Sequence, residues 1–145
     1  MQIADALHGG HNTFGSLIYP SVSVVKHEEV VVTTLDSALE EHQVRNVAVA
    51  KIDVEGGEVA VLRGASELLT VKRPIIMMEL QQESLAAQGT STEELLEIVR
   101  GAGYSVFCYA EAGPQWIRLF DELNDGGSQN IVAIPSERTE DVNLR

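Results

Sequence analysis

The chain has little cysteine and little positive charge, and each shortage excludes a class of structure or partner. One cysteine, Cys108, is present among 145 residues, so no internal disulfide can form. This is typical of a reducing compartment. Ten Lys and Arg residues stand against 22 Asp and Glu residues, which gives a net charge of −12. Because that charge repels phosphate backbones and anionic lipid surfaces, we expect neither nucleic acid nor membrane as a partner.

Long apolar runs and phosphate-binding glycine motifs are also missing. No stretch approaches the roughly 18 apolar residues of a membrane-spanning helix. The first residues, Met1-Gln-Ile-Ala-Asp-Ala-Leu, do not resemble a secretory leader. Neither G-x-G-x-x-G nor G-x-x-x-x-G-K-[ST] occurs. We therefore expect a cytoplasmic protein without a nucleotide-phosphate loop.

The residues that are present predict an α/β protein. Hydrophobic residues make up 44% of the chain and charged residues 22%, as in a single globular domain. Apolar runs at 47–54, 75–80, 104–109 and 130–134 predict strands. Helical periodicity follows Glu58 as far as Pro74, and a capping box at Ser91 and Glu94 opens a second helix. Such alternation favours a sheet with parallel neighbouring strands.

The two ends of the chain give weaker structural predictions than its middle. Residues 1–29 show no clear periodicity, and residues 136–145 are expected to fray. The β-branched residues 30–34 predict an extended segment, and residues 35–42 a short helix with Asp36 or Ser37 as its N-cap. His8 and His11 have no nearby cysteine or carboxylate beyond Asp5, so we assign no metal ligands.

Residues 47–54 combine burial with charge. Their nearly continuous apolar run predicts a central strand that is covered on both faces. Lys51 and Asp53 nevertheless share one face of that strand, because side chains alternate along it. Charged groups in a buried strand are costly unless they are paired or hydrogen-bonded. The end of this strand is therefore a candidate site.

Acidic residues follow two strand ends. Ligands of open α/β sheets bind beyond the carboxyl ends of the strands. If the strands at 47–54 and 75–80 are neighbours, Asp53, Glu55 and Glu79 would converge there, and their repulsion could raise the pKa of one carboxyl towards that of a general base. In a purely structural alternative, Lys51 and Asp53 form an ion pair, and Glu55 and Glu58 favour the start of the next helix.

Gly56 and Gly57 have two possible roles. They could supply the unusual backbone angles of a tight turn, or their amides could cradle a phosphate. The neighbouring carboxylates oppose a phosphate unless a divalent cation intervenes, and an acidic strand end by itself is a weak signal for Mg²⁺.

Several segments together resemble the FkbM methyltransferase family. They are Val32-Thr-Thr-Leu-Asp36, Lys51-Ile-Asp-Val-Glu-Gly-Gly-Glu-Val-Ala-Val-Leu-Arg-Gly-Ala65, Arg73-Pro-Ile-Ile-Met-Met-Glu79, Gly103-Tyr104 and Asn130-Ile-Val-Ala-Ile134. Their order and spacing are similar to those of the family over residues 12–134.

The resemblance implies a Rossmann-like class I methyltransferase fold, with residues 47–54 as the fourth strand. S-adenosylmethionine would donate a methyl group to a hydroxyl of a sugar or natural product. Asp53, Glu55 and Glu79 would be the catalytic residues, with Asp53 binding or deprotonating the hydroxyl and Glu55 orienting it. Lys51, Gly56, Gly57 and Glu58 would form the structural turn of the site.

The same resemblance leaves the cofactor-binding half without a counterpart. We therefore expect residues 30–135 to form a partial methyltransferase domain, about the fourth to seventh strands, with no cofactor-binding residue assigned. Two hypotheses follow. In the first, the chain is a methyltransferase, as part of a longer enzyme or completed by a second chain. In the second, it is a non-catalytic remnant that dimerises or binds a partner through the open edge of its sheet.

Overall fold

The computed structural model describes residues 1–5, 21–110, 115–118 and 129–140. The strands are β1 (Gln2–Ala4), β2 (Val24–His27), β3 (Val49–Ile52), β4 (Ile75–Leu80), β5 (Tyr104–Ala110), β6 (Gln115–Arg118) and β7 (Gln129–Pro135). The helices are α1 (Leu35–Glu41), α2 (Glu58–Arg63), a π-helix (Leu68–Lys72), α3 (Gln82–Ala87), α4 (Thr92–Gly101) and a 3-10 helix (Ser136–Arg138).

Five strands form one mixed sheet in the order β3-β4-β7-β5-β6. Strands β3 and β4 are parallel, and the other neighbours are antiparallel. Strands β1 and β2 form a separate antiparallel pair. Strands and helices alternate from β3 to β5, so the predicted α/β class is confirmed.

The core lies between one face of this sheet and the helices. On β4, Ile76, Met78 and Leu80 are buried, whereas Met77 on the opposite face is 41% exposed. Helix α4 completes the core with Leu95 and Val99, among others, both fully buried. Burying one such side chain contributes about 1.5–3 kcal/mol. Cys108 is buried as well.

The prediction that β3 is a central strand, covered on both faces, is wrong for the described sheet. Among the residues that the structure describes, β3 pairs only with β4 and lies at the sheet edge. Ile52 is 5% exposed, but Val49 is 54% exposed on the other face. The helices cover the Ile52 face alone, and an apolar run cannot reveal which face a helix will cover.

The predicted helix after Glu58 is two helices. Helix α2 ends at Arg63, with Gly64 as its C-cap. Asp36 then holds the start of the next helical segment with both carboxylate oxygens. They accept the amides of Glu67 at 2.7 Å and Leu68 at 2.9 Å. The Asp36 amide donates in turn to the Gly64 carbonyl at 3.0 Å. Asp36 therefore joins α1 to the break between α2 and the π-helix.

The N-cap prediction for α1 was also wrong. Its N-cap is Thr34, whose hydroxyl oxygen accepts the Ser37 amide at 3.1 Å. Ser91 is the N-cap of α4 as predicted, because its hydroxyl accepts the Glu94 amide at 3.2 Å. The Glu94 carboxylate binds Arg63, so the second half of the predicted capping box stays a prediction. Helix α3 and strand β6 were not predicted. Residues 30–34 belong to no strand.

Other predictions fall outside the described residues. These include His8 and His11. Within the described ranges, no helix has the length and hydropathy needed to span a bilayer.

Arg73 joins three parts of the fold from a left-handed backbone position, with φ of 47°. Its Nη1 donates to the carbonyls of Leu69 at 3.2 Å and Ala102 at 2.8 Å. Its Nε and Nη2 donate to the two oxygens of Glu137 at 2.6 and 2.7 Å. The guanidinium also lies 5.1 Å from the centre of the Tyr104 ring. One side chain thus satisfies the carbonyl ends of two helices and anchors the 3-10 helix.

Replacing Asp36 with Ala should lower the free energy of unfolding by about 1–3 kcal/mol, because two backbone amides lose a charged acceptor. Urea unfolding followed by circular dichroism measures this loss. Glu40→Ala is the matched control, because it removes an exposed carboxylate from the same helix. An equal loss in both variants would contradict the assigned role of Asp36.

The ion pair of Arg73 and Glu137 should make the free energy of unfolding decrease at acid pH. The hydrogen bond from Arg73 lowers the pKa of Glu137 from 4.5 to about 2. Its stabilisation is therefore complete above pH 4.5 and is lost as the pH falls towards 2. Glu137→Gln should unfold at lower urea than the wild type at neutral pH, and this difference should shrink across that window. A difference that is constant with pH would contradict the pairing. Glu140→Gln is the control, since Glu140 is an exposed carboxylate nearby.

Candidate functional site

A tight turn connects β3 to α2. The Gly57 amide donates to the Val54 carbonyl at 3.1 Å, and the two residues between them have positive φ, 49° for Glu55 and 92° for Gly56. Two consecutive positive φ values define the mirror-image type I′ turn, in which glycine is favoured and other residues are strained. The turn holds Glu55 in a conformation that non-glycine residues seldom adopt.

The turn is fixed by its contact with α3. A Cβ atom on Gly56 would lie 2.6 Å from the Ser84 carbonyl carbon and closer still to its oxygen. Since α3 begins two residues after β4 ends, this contact attaches the end of β3 to the end of β4. Gly56 is therefore required for close packing as well as for its backbone angles.

Glu58 supports the turn from inside. It is 3% exposed, and its Oε1 accepts the Val54 amide at 3.2 Å. This bond satisfies a backbone donor at the point where the strand stops pairing. Glu58 therefore supports the backbone of this turn, and its carboxylate is directed into the protein.

Lys51 and Asp53 form an ion pair on the open face of the sheet. Lys51 Nζ donates to Asp53 Oδ2 at 2.5 Å, and both side chains are largely exposed. The pKa of Lys51 is raised, first by its hydrogen bond to Asp53 and, more weakly, by the charge of Glu79. Exposed pairs of this kind contribute about 0–1 kcal/mol to stability. The ion pair of Lys51 and Asp53 therefore contributes little to the stability of the fold.

The register of β3 and β4 relates this pair to Glu79. Lys51 lies beside Met77, and Ile52 lies beside Met78. One further step along both strands brings Asp53 level with Glu79 on the face that carries Lys51. The structure thus confirms that the two strands are parallel neighbours, and by this register Lys51, Asp53 and Glu79 belong to the same face of the sheet. Convergence of all three carboxylates, with Glu55 included, stays a prediction.

The charged groups at the end of β3 are better suited to binding and deprotonating a hydroxyl than to binding an anion. The Gly57 amide is used within the turn, and the nearby residues Glu55 and Glu58 are acidic. Among the described residues, no group of three or more His, Cys, Asp or Glu is placed to hold a metal ion. What remains is a pair of carboxylates beside one lysine, a set suited to hydroxyl groups and to positive charge.

Sequence reasoning missed Ser84, whose carbonyl defines the position of the turn. The contact is made by the backbone carbonyl of Ser84, in a helix that the sequence periodicity did not predict. Because any residue type has a backbone carbonyl, the identity of this residue could not predict the contact. The nearest signal was Gly56 itself, since a glycine after a strand end can mark a close approach of backbone.

Comparison with protein families gives a match that covers most of the chain. The model described as Methyltransferase FkbM domain matches residues 3–106. This range contains the turn and both strands of the site, and it begins nearer the N-terminus than the segments that carry the resemblance. No match was found among curated proteins or among solved structures.

Gly56→Ala should lower the free energy of unfolding by about 3 kcal/mol or more, because it adds steric overlap with Ser84 to backbone strain. Gly89→Ala is the matched control. Gly89 also has positive φ, 74°, but has open space around it, so it should show backbone strain alone, about 1 kcal/mol. Chemical denaturation of both variants measures the difference. Equal losses would show that the Ser84 contact does not constrain the turn.

Proposed function

The chain belongs to the FkbM methyltransferase family, and from this we propose that it takes part in S-adenosylmethionine-dependent O-methylation of a hydroxyl on a sugar or natural product. The observation that carries the proposal is the hydrogen bond between Lys51 and Asp53 at the carboxyl end of β3, beside the parallel strand β4 that carries Glu79. This is the edge at which α/β sheets bind their substrates.

Asp53 is the proposed base. Its exposed carboxylate would accept a hydrogen bond from the acceptor hydroxyl and take the proton as the oxygen forms its new bond to carbon. Lys51 holds the Asp53 carboxylate through the 2.5 Å hydrogen bond. Glu55, fixed by the turn, would orient the hydroxyl, and Glu79 would bind a neighbouring hydroxyl. Positioning would supply much of the rate, since a defined geometry replaces an encounter in solution.

The cofactor supplies an electrophilic methyl group on a positively charged sulfur, and transfer breaks the bond from carbon to sulfur and leaves a neutral thioether. The carboxylates of Asp53 and Glu79 are compatible with that positive charge. We assign no described residue to the adenosine part. In the proposed correspondence β3 is the fourth strand of a Rossmann-like sheet and residues 30–135 are the acceptor side of the domain, so the donor side would lie beyond the outer edge of β3.

Asp53→Asn should reduce methyl transfer by about 10²–10⁴-fold while leaving cofactor binding unchanged. Calorimetry with S-adenosylhomocysteine measures binding, and transfer of a labelled methyl group to a panel of polyols measures turnover. Glu28→Gln is the matched control, because Glu28 forms a similar exposed pair with Lys26 on a different sheet.

Two results would contradict the proposal. Equal turnover in Asp53→Asn and the wild type would remove Asp53 from the chemistry. Absence of any heat with millimolar S-adenosylhomocysteine would overturn methyl transfer by this chain alone.

A further inference from the structure

Gln81 is the first residue after β4, and its backbone is still extended, with φ of −133° and ψ of 107°. Because side chains alternate along an extended backbone, Gln81 belongs to the same face of the sheet as Met77 and Glu79. Helix α3 begins at the next residue. Gln81 therefore stands at the carboxyl end of β4, on the face to which the proposed acceptor site belongs.

The side chain of Gln81 is held by α3. The hydroxyl of Ser84, a residue that is 5% exposed, donates to Gln81 Oε1 at 2.5 Å. The backbone carbonyl of the same Ser84 meets Gly56 in the turn after β3. Ser84 thus contacts both strand ends and directs the oxygen of the Gln81 amide towards α3. The nitrogen of that amide carries two N–H donors, so it can serve a bound molecule and another partner at once.

The proposed methyl transfer requires a hydrogen-bond donor to the acceptor oxygen. A hydroxyl oxygen has one proton and two lone pairs. In the proposed reaction the proton goes to Asp53, and one lone pair forms the new bond to carbon. The second lone pair needs a donor, which the carboxylates of Glu55 and Glu79 cannot supply, because ionised carboxylates only accept hydrogen bonds.

We propose that Gln81 Nε2 donates to this second lone pair, and that Gln81 thereby selects an alcohol oxygen over an amine as the methyl acceptor. Gln81 lies one strand across from Asp53 and two residues beyond the level of Glu79. Diagonal positions of this kind are about 7–8 Å apart, within reach of one hydroxyl group bound between two side chains. Ser84 is a positioning residue, because it fixes the orientation of the Gln81 amide.

An amine gains nothing from this donor. At neutral pH an alkylamine is an ammonium ion, which has N–H donors and no lone pair. The net charge of −12 and the carboxylates of the site attract such a cation. At the position of the hydroxyl, however, its N–H groups would face those of Gln81, and a donor left without a partner weakens binding. Gln81 thus offsets the charge that otherwise favours amines.

The experiment compares cyclopentanol with cyclopentylamine, two probes of similar shape that differ at the acceptor atom. Nuclear magnetic resonance titration of the isotope-labelled full chain measures the binding of each probe at neutral pH. Gln81→Ala should weaken cyclopentanol binding by about three- to tenfold, the usual contribution of one hydrogen bond, without weakening cyclopentylamine binding. Gln81→Glu replaces the donor with a carboxylate, so it should lower the ratio of alcohol to amine affinity by about tenfold or more.

Methyl-transfer assays give a second measurement of the same bond. Gln81→Ala should raise KM for the alcohol and leave kcat nearly unchanged, because the bond to the oxygen is present before the reaction. Ser84→Ala removes the hydroxyl but keeps the carbonyl that meets Gly56. It should therefore lower the ratio of alcohol to amine affinity in the same direction as Gln81→Ala, by a smaller factor.

Gln82→Glu is the matched control for charge. Gln82 Oε1 accepts the Thr92 amide at 3.2 Å and the Thr92 hydroxyl at 3.0 Å, and a glutamate keeps both bonds. The variant adds the same charge as Gln81→Glu one residue away, where salt screens it from the bound probe. It should change the ratio of alcohol to amine affinity by less than about twofold.

The inference rests on the proposed function for its reaction, but its binding test needs no methyl donor. Equal effects of Gln81→Glu and Gln82→Glu would overturn it, because charge alone would then explain the selectivity. So would the absence of cyclopentanol binding. Methyl transfer that is unaffected in Gln81→Ala would remove the role of Gln81 and leave the proposed function standing. Alcohol binding that depends on Gln81, without methyl transfer, would overturn the proposed function and leave the alcohol site standing.

Discussion

The contact between Gly56 and the Ser84 carbonyl fixes the candidate site. Without a Cβ atom at Gly56, α3 approaches the turn closely enough for the ends of β3 and β4 to be held as one unit. The positive φ values of Glu55 and Gly56 and the bond from Val54 to Glu58 follow from the same tight path. This contact attaches the end of the strand that leads into Asp53 to the end of the strand that carries Glu79.

Two further residues of the family-like segments serve the backbone in the same way. Asp36 binds the amides at the start of the π-helix region, and Arg73 binds carbonyls at the ends of two helices. Both charged side chains form hydrogen bonds to backbone groups at helix ends that have no partner within the helix. A charged residue in a family motif is therefore no sign of chemistry by itself, and among these residues Lys51, Asp53 and Glu79 differ by facing the open side of the sheet.

That open side is where an acceptor would bind. Val49 and Met77 are exposed there, beside the ion pair of Lys51 and Asp53. In the proposed correspondence the donor side of the methyltransferase domain would lie beyond the outer edge of β3, so donor and acceptor would meet at the carboxyl end of this strand.

The sequence by itself determined the α/β class, strands β4, β5 and β7, the start of α4 and the segment that forms the turn, because periodicity and capping are local properties. It could not determine that β3 lies at an edge, that the helix after Glu58 breaks where Asp36 caps it, or that Gly56 meets Ser84. Those features depend on contacts between residues distant in the chain. Only the tertiary structure decided which carboxylate is directed inwards, at Glu58, and which stays exposed beside a lysine, at Asp53, because that depends on which face the helices cover.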